Sequence, residues 1–130
     1  MKLLSLLCAA VMVPVVALGQ SSVKTKHGDI VQLRALDTIT GEVEDIDLPV
    51  GDTTVYERLM VSVQDCRYPA GNISADAFAY LVIRDVRENR PAFEGWMIAS
   101  SPALSALEHP RYDVWVVRCK LADAAEQGSD

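Results

Sequence analysis

Three side chains in the last third of the chain, Ser101, His109 and Asp113, are of the types that supply a nucleophile, its base and the carboxylate that orients the base. Acyl transfer of that kind needs the serine on a strained turn, within hydrogen-bond reach of the histidine, and donors for the developing oxyanion. No Gly-x-Ser-x-Gly frame surrounds Ser101, and the sequence shows no oxyanion donor. The plainer expectation is that Ser101 caps a short helix with Pro102 at its first position. His109 then marks the helix end, where a partly positive imidazole suits the dipole. A small hydrolase or ligand-binding enzyme using Ser101 and His109 is the alternative to a non-enzymatic domain.

A second set, Glu42, Glu44, Asp45, Asp47 and Asp52, offers the hard oxygens that calcium takes. Its spacing follows no calcium-loop pattern, and strand alternation sends the carboxylates to both faces. A solvated strand edge that resists pairing with another sheet accounts for them better, so no metal and no cofactor is expected. Cys66 and Cys119 each stand near the end of a strand-like run. They lack Cys-x-x-Cys spacing, and the chain has only two histidines as co-ligands, so a structural disulfide is expected between them.

The aromatic residues are the remaining candidates. The stretch from Phe93 to Cys119 holds both tryptophans. Trp96, Trp115, Tyr112, Tyr80 and Phe78 fit either a core or a binding groove, because Trp and Tyr join an apolar body to a polar tip. Trp96, beside Gly95, stays open between core and partner surface. With the Ser100-Ser101-Pro102 turn it marks the expected contact region.

Short strands must position these groups. Ile30 to Asp37 and Glu42 to Val50 flank Thr38-Ile39-Thr40-Gly41 and read as a hairpin. Thr53 to Glu57 follows. In Arg58 to Cys66, Leu59, Val61 and Val63 alternate with Met60, Ser62 and Gln64, the period of a half-buried strand. Arg67 to Ala75 reads as loop, rich in Pro, Gly, Asn and Ser. Ala77 to Val86 is nearly continuous in apolar residues and reads as central. Ala92 to Ala99 and Tyr112 to Cys119 supply two further strands. Between them Leu104 and Leu107, three apart, are expected to pack inward before Pro110 stops the helix. The pattern predicts a mainly β fold, a small antiparallel sandwich or barrel-like domain with one short helical turn.

The first residues have a different character. Lys2, the apolar run Leu3 to Val16 and the small-x-small site Ala17-Leu18-Gly19 form a signal peptide over residues 1–19. The run is too short for a span and carries Pro14. Cys8 leaves with it, and the even pair Cys66 and Cys119 suits an oxidising compartment. Residues 20–29 are expected to be a flexible leader, 30–119 the single β domain, and 120–130 a polar tail. The net charge of −6, with no basic cluster, excludes nucleic acid and an anionic membrane surface as partners. No other long apolar segment exists, so no stable membrane insertion is expected after cleavage.

Several blocks together resemble one family: Leu33-Arg34-Ala35-Leu36-Asp37 with Gly41-Glu42-Val43, Asp65-Cys66-Arg67-Tyr68-Pro69, Gly95-Trp96-Met97 through His109-Pro110, and Tyr112-Asp113-Val114-Trp115 through Cys119. They are similar to DUF2155, exported alphaproteobacterial proteins of unknown function, over roughly Val31 to Cys119. The Gly-Trp-Met to His-Pro block is the most specific part. The resemblance implies a periplasmic address and transfers no catalytic residue. Genes of the family tend to neighbour that of an accessory subunit of respiratory complex I, which implies an envelope or respiratory-assembly setting. The expectation is thus a periplasmic, non-enzymatic binding or structural module with a protein partner in the cell envelope.

Overall fold

Period-two alternation of apolar residues carries most of this chain into antiparallel strands. The computed structural model describes residues 22–123, with Pro14 and Gly19 ahead of them. The rest of the expected signal peptide, the start of the leader and residues 124–130 of the polar tail lie outside the described residues. The strands are β1 (Thr25–His27), β2 (Ile30–Asp37), β3 (Val43–Pro49), β4 (Thr53–Tyr56), β5 (Leu59–Pro69), β6 (Phe78–Asp85), β7 (Phe93–Ile98) and β8 (Tyr112–Lys120). A 3-10 turn, Pro102–Leu104, stands between β7 and β8.

Two antiparallel sheets pack together. One has the order β1-β5-β6-β7, with β4 also on β5; the other has the order β3-β2-β8. The hairpin expected of β2 and β3 is present, with Leu33 opposite Ile46. The strand read as central, β6, lies between β5 and β7. Three connections pass from one sheet into the other: the segment from β7 to β8, and two short corners, β1 into β2 through Gly28-Asp29 and β3 into β4 through Val50-Gly51-Asp52. Such corners keep two sheets joined while their strands change direction. Backbone bonds hold them: Gly28 N donates to Cys66 O at 2.7 Å, Asp29 N to Lys120 O at 2.9 Å, and Val50 N to Asp29 O at 2.9 Å.

These corners correct two expectations. The leader is ordered in its second half, because Thr25–His27 pairs with Arg67–Pro69. That pairing also extends β5 to Pro69, into residues read as loop. Pro69, at the strand end, gives up no donor that the ladder needs.

The core fills from both sheets: Leu59, Val61, Val63, Leu81, Ile83 and Met97 from one, Val31, Leu33, Val114 and Val116 from the other, all nearly inaccessible. A bulge then changes the phase of the alternation in β5 and again in β8. Val63 is opposite Leu81 but Asp65 is opposite Tyr80, so Gln64 is the extra residue. Likewise Gln32 faces Arg118 and Leu33 faces Val116, which leaves Val117 unpaired. Each bulge shifts the inward set by one residue. The inward series therefore run Leu59, Val61, Val63, Cys66 and Tyr112, Val114, Val116, Cys119. Both cysteines turn inward and bond, joining β5 of one sheet to β8 of the other.

The segment after β7 departs from expectation. Its helical portion is one 3-10 turn; Pro102 stands at its start, but the Ser101 side chain makes no capping bond. Leu104 is exposed and Leu107 alone is buried. An amphipathic helix here would need an apolar stripe, which two leucines among Ala and Ser do not supply. The chain instead extends beyond Ser105 and uses Leu107 as a plug between the two sheets.

Candidate functional site

The two outer faces differ in chemistry. On the three-stranded sheet the outward residues form ion pairs, Arg34 to Asp45 at 2.7 Å and Lys120 to Asp47 at 2.9 Å. On the five-stranded sheet the cross-strand rows are largely aromatic and apolar. One row runs His27, Arg67, Phe78, Ile98, and the next runs Asp65, Tyr80, Trp96. Trp96 remains 41% exposed. Tyr80 meets it edge-on at 5.5 Å, and the Arg67 guanidinium lies 5.9 Å from its ring centre. Asp65 accepts from Arg67 Nε at 2.9 Å and bonds His27 Nδ1 at 2.9 Å. These bonds outweigh the opposing desolvation and hold the Asp65 carboxyl below its usual range. A shallow depression of about 430 Å³ lies against this patch, lined by Val23, Thr25, Arg67, Phe78, Trp96 and Ile98.

A second polar cluster closes one end of the two sheets. Asp85, at the end of β6, accepts from His109 Nε2 at 2.9 Å, from Arg58 Nε at 2.7 Å and from the Arg87 amide at 3.0 Å. The His109 bond leads in driving its pKa well below the ordinary carboxylate value, against the opposing desolvation. His109 Nδ1 receives the amides of Arg111 and Tyr112, both at 3.1 Å. A ring nitrogen that accepts two N–H groups carries no proton, so the tautomer is neutral with the hydrogen on Nε2. Next to it, Arg111 grips Asp37 through Nε and Nη2 at 3.2 and 2.9 Å. That grip and the amides of Ile39 and Thr40 lower the Asp37 pKa to about 2, with desolvation opposing. Both nitrogens of His109 are thus occupied by groups that anchor the loop before β8.

The structure does not assemble Ser101, His109 and Asp113. The carboxylate on His109 is Asp85, no bond joins Ser101 to His109, and His109 ends no helix. Ser100 is held by Asp76, which accepts from its amide at 3.0 Å and its hydroxyl at 2.7 Å. Ser101 and Pro102 follow at the entrance to the 3-10 turn, and Pro102 lines a separate depression beside Trp115. Among the described residues no group of three His, Cys, Asp or Glu is placed to hold a metal. The acidic residues of β3 lie along the end of their sheet, and Asp45 and Asp47 are spent on Arg34 and Lys120. No helix among the described residues is long and apolar enough to cross a membrane.

The stretch that carries most of these features, residues 31–119, matches a family described as an uncharacterised protein conserved in bacteria, DUF2155. The chain belongs to the DUF2155 family. The matched region opens with β2 and closes at Cys119, so both cysteines, Trp96 and the Asp85–His109 pair are inside it. An uncharacterised protein of Rickettsia prowazekii is 28% identical over 88 residues, which cover 65% of this chain and 57% of the relative. This DUF2155 chain thus spans little more than half the length of that relative. No solved structure matches it.

Sequence reasoning missed Asp85 and Arg58 as parts of the end cluster, and missed Arg67 as a neighbour of Phe78 and Trp96. The available signal was parity. Arg67 lies one step beyond an inward cysteine and so shares the outer face with Phe78. Asp85 continues the inward series Leu81, Ile83 to a position where a carboxylate needs a buried partner.

Proposed function

We propose that this DUF2155 domain is a non-enzymatic periplasmic binding module whose contact surface is the outer face around Trp96. Its partner on this reading is a protein of the cell envelope, in the setting of respiratory complex I. The single observation that carries the reading is the exposed indole on an otherwise packed sheet face, beside Arg67, Phe78 and Ile98. Trp and Arg are the residue types in which binding energy concentrates at protein interfaces. The ion pairs on the opposite outer face leave that surface suited to water. The Ser100-Ser101-Pro102 turn, just past the end of β7, extends the contact region. The signal peptide and the disulfide both support export to an oxidising compartment.

The test is affinity capture from native membranes with the tagged, secreted chain and its Trp96→Ala variant, read by mass spectrometry. Wild type should enrich a discrete set of envelope proteins that includes complex I components, and Trp96→Ala should lose them with its melting curve intact. Equal capture by both forms removes the reading. Loss of the fold in Trp96→Ala would assign the indole to cohesion. Labelling by a serine-directed activity probe, abolished in Ser101→Ala, would replace binding with catalysis.

A further inference from the structure

An aspartate beside an aromatic ring recurs in this fold, and arginine completes the arrangement. Among the described residues this happens three times. Arg67 donates to Asp65 at 2.9 Å with its guanidinium 5.9 Å from the Trp96 ring centre. Arg111 donates to Asp37 at 2.9 Å and lies 5.2 Å from the Tyr112 ring centre. Arg58 donates to Asp85 at 2.7 Å and lies 5.5 Å from the same ring. A guanidinium suits this role because it is flat enough to lie on a ring while its edge donates to a carboxylate.

A further pair lacks its arginine. In β8, Tyr112, Val114 and Val116 turn inward, so Asp113 and Trp115 share the outer face, about 7 Å apart along the strand. Among the described residues no ion pair reaches Asp113, and no cation lies over the Trp115 ring. Arg34, opposite Trp115, is held by Asp45 at 2.7 Å. Asp113 and Trp115 border a cleft of about 310 Å³ whose other wall is Pro102, Ala103 and Ala106. That wall stands against β8, so the cleft is a place for a side chain and not for a pairing strand.

We infer that the cleft receives an arginine side chain of a protein partner, resting on the reading above only for the partner's being a protein. The guanidinium donates to the Asp113 carboxylate and lies on the Trp115 indole. Its methylene stem runs along Pro102, Ala103 and Ala106. The charge is complementary, for the cleft presents an unpaired carboxylate in a chain of net charge −6. The apolar wall matches a hydrocarbon stem. The internal examples of the same arrangement all use arginine, although the chain also has lysines. Pro102 joins the cleft to the Ser100-Ser101-Pro102 turn, so the arginine enters beside the contact region.

Proton–nitrogen NMR of the isotope-labelled, disulfide-bonded chain tests the cleft with short peptides. The probe is acetyl-Gly-Arg-Gly-amide, and the same peptide with Gln or Lys in place of Arg is the control. The arginine peptide is expected to shift the Trp115 indole N–H and the Asp113 amide saturably. Asp113→Asn should weaken its binding by about tenfold or more, through loss of a charge-assisted hydrogen bond. The control peptides should bind more weakly than the arginine peptide. Spectral dispersion checks that the variant folds, and Asp113→Ser replaces Asp113→Asn if it does not. A wild type without a saturable shift overturns the inference. So does equal binding of either control peptide, binding that a folded Asp113 variant leaves unchanged, or shifts at the Trp96 indole in place of Trp115. Capture through the Trp96 face is decided separately by the Trp96→Ala comparison, so failure of one reading is distinguishable from failure of the other.

Discussion

Replacing Cys66 and Cys119 together with alanine removes the covalent link between the sheets. The cysteines are 53 residues apart in sequence. Closing a loop of that length in the unfolded chain corresponds to about 4 kcal/mol in the chain-entropy description. A domain of this size has about 5–15 kcal/mol of net stability, so the loss is a large fraction of the whole. At about 4–8 °C per kcal/mol, the melting temperature should fall by about 16–32 °C. Both sulfurs are buried among core side chains, so their removal adds to the loss. Urea unfolding of the wild type, the reduced wild type and the double variant measures the effect. The denaturant slope should also rise without the bridge, because an uncrosslinked unfolded chain exposes more surface. A double variant within about 1 kcal/mol of wild type would refute the reasoning. So would complete alkylation of both thiols in protein purified without reductant from an oxidising compartment.

Other perturbations read other parts of the fold. A Cβ on Gly28 would approach the Cys119 Cβ to 2.8 Å, so Gly28→Ala should lower stability by about 1–3 kcal/mol, read from the urea midpoint. The Asp37 carboxyl is lowered from 3.8 to about 2, so its contribution is complete above about pH 4 and is lost as the pH falls toward about 2. Melting temperature against pH should decline through that window, and Asp37→Asn should be less stable at neutral pH with a shallower acid limb. His109→Leu strips the acceptor from the Arg111 and Tyr112 amides and a donor from Asp85. It should lower stability by about 1–3 kcal/mol and speed hydrogen exchange at those two amides.

The strands were legible where alternation was clean. Leu59, Val61 and Val63 declared the buried face of β5, and the acidic residues of β3 declared an unprotected edge in need of charge. The cysteine pair followed from count and spacing. What was not legible depends on contacts distant in sequence. Asp85 and His109 are 24 residues apart, and nothing local marks them as partners. His109 near Pro110 resembled a helix end, and only the position of β6 shows which carboxylate it serves. Thr25–His27 has no alternation of its own; it becomes a strand because the end of β5 offers it a ladder. Trp96 sat on an apolar strand whose two faces sequence could not rank, since each face of β7 carries bulky side chains.

The skipped residues in β5 and β8 make the crosslink depend on register, since each cysteine faces inward only while the residue before the shift stays out of the ladder. If Gln64 or Val117 were drawn into regular pairing instead of being skipped, every later residue of that strand would exchange faces and the following cysteine would leave the interior for the solvent side. The sulfur left behind would lose its mate, and the one outside would be accessible to foreign thiols. A one-residue slip through either bulge thereby converts an internal staple into a point of attachment between molecules.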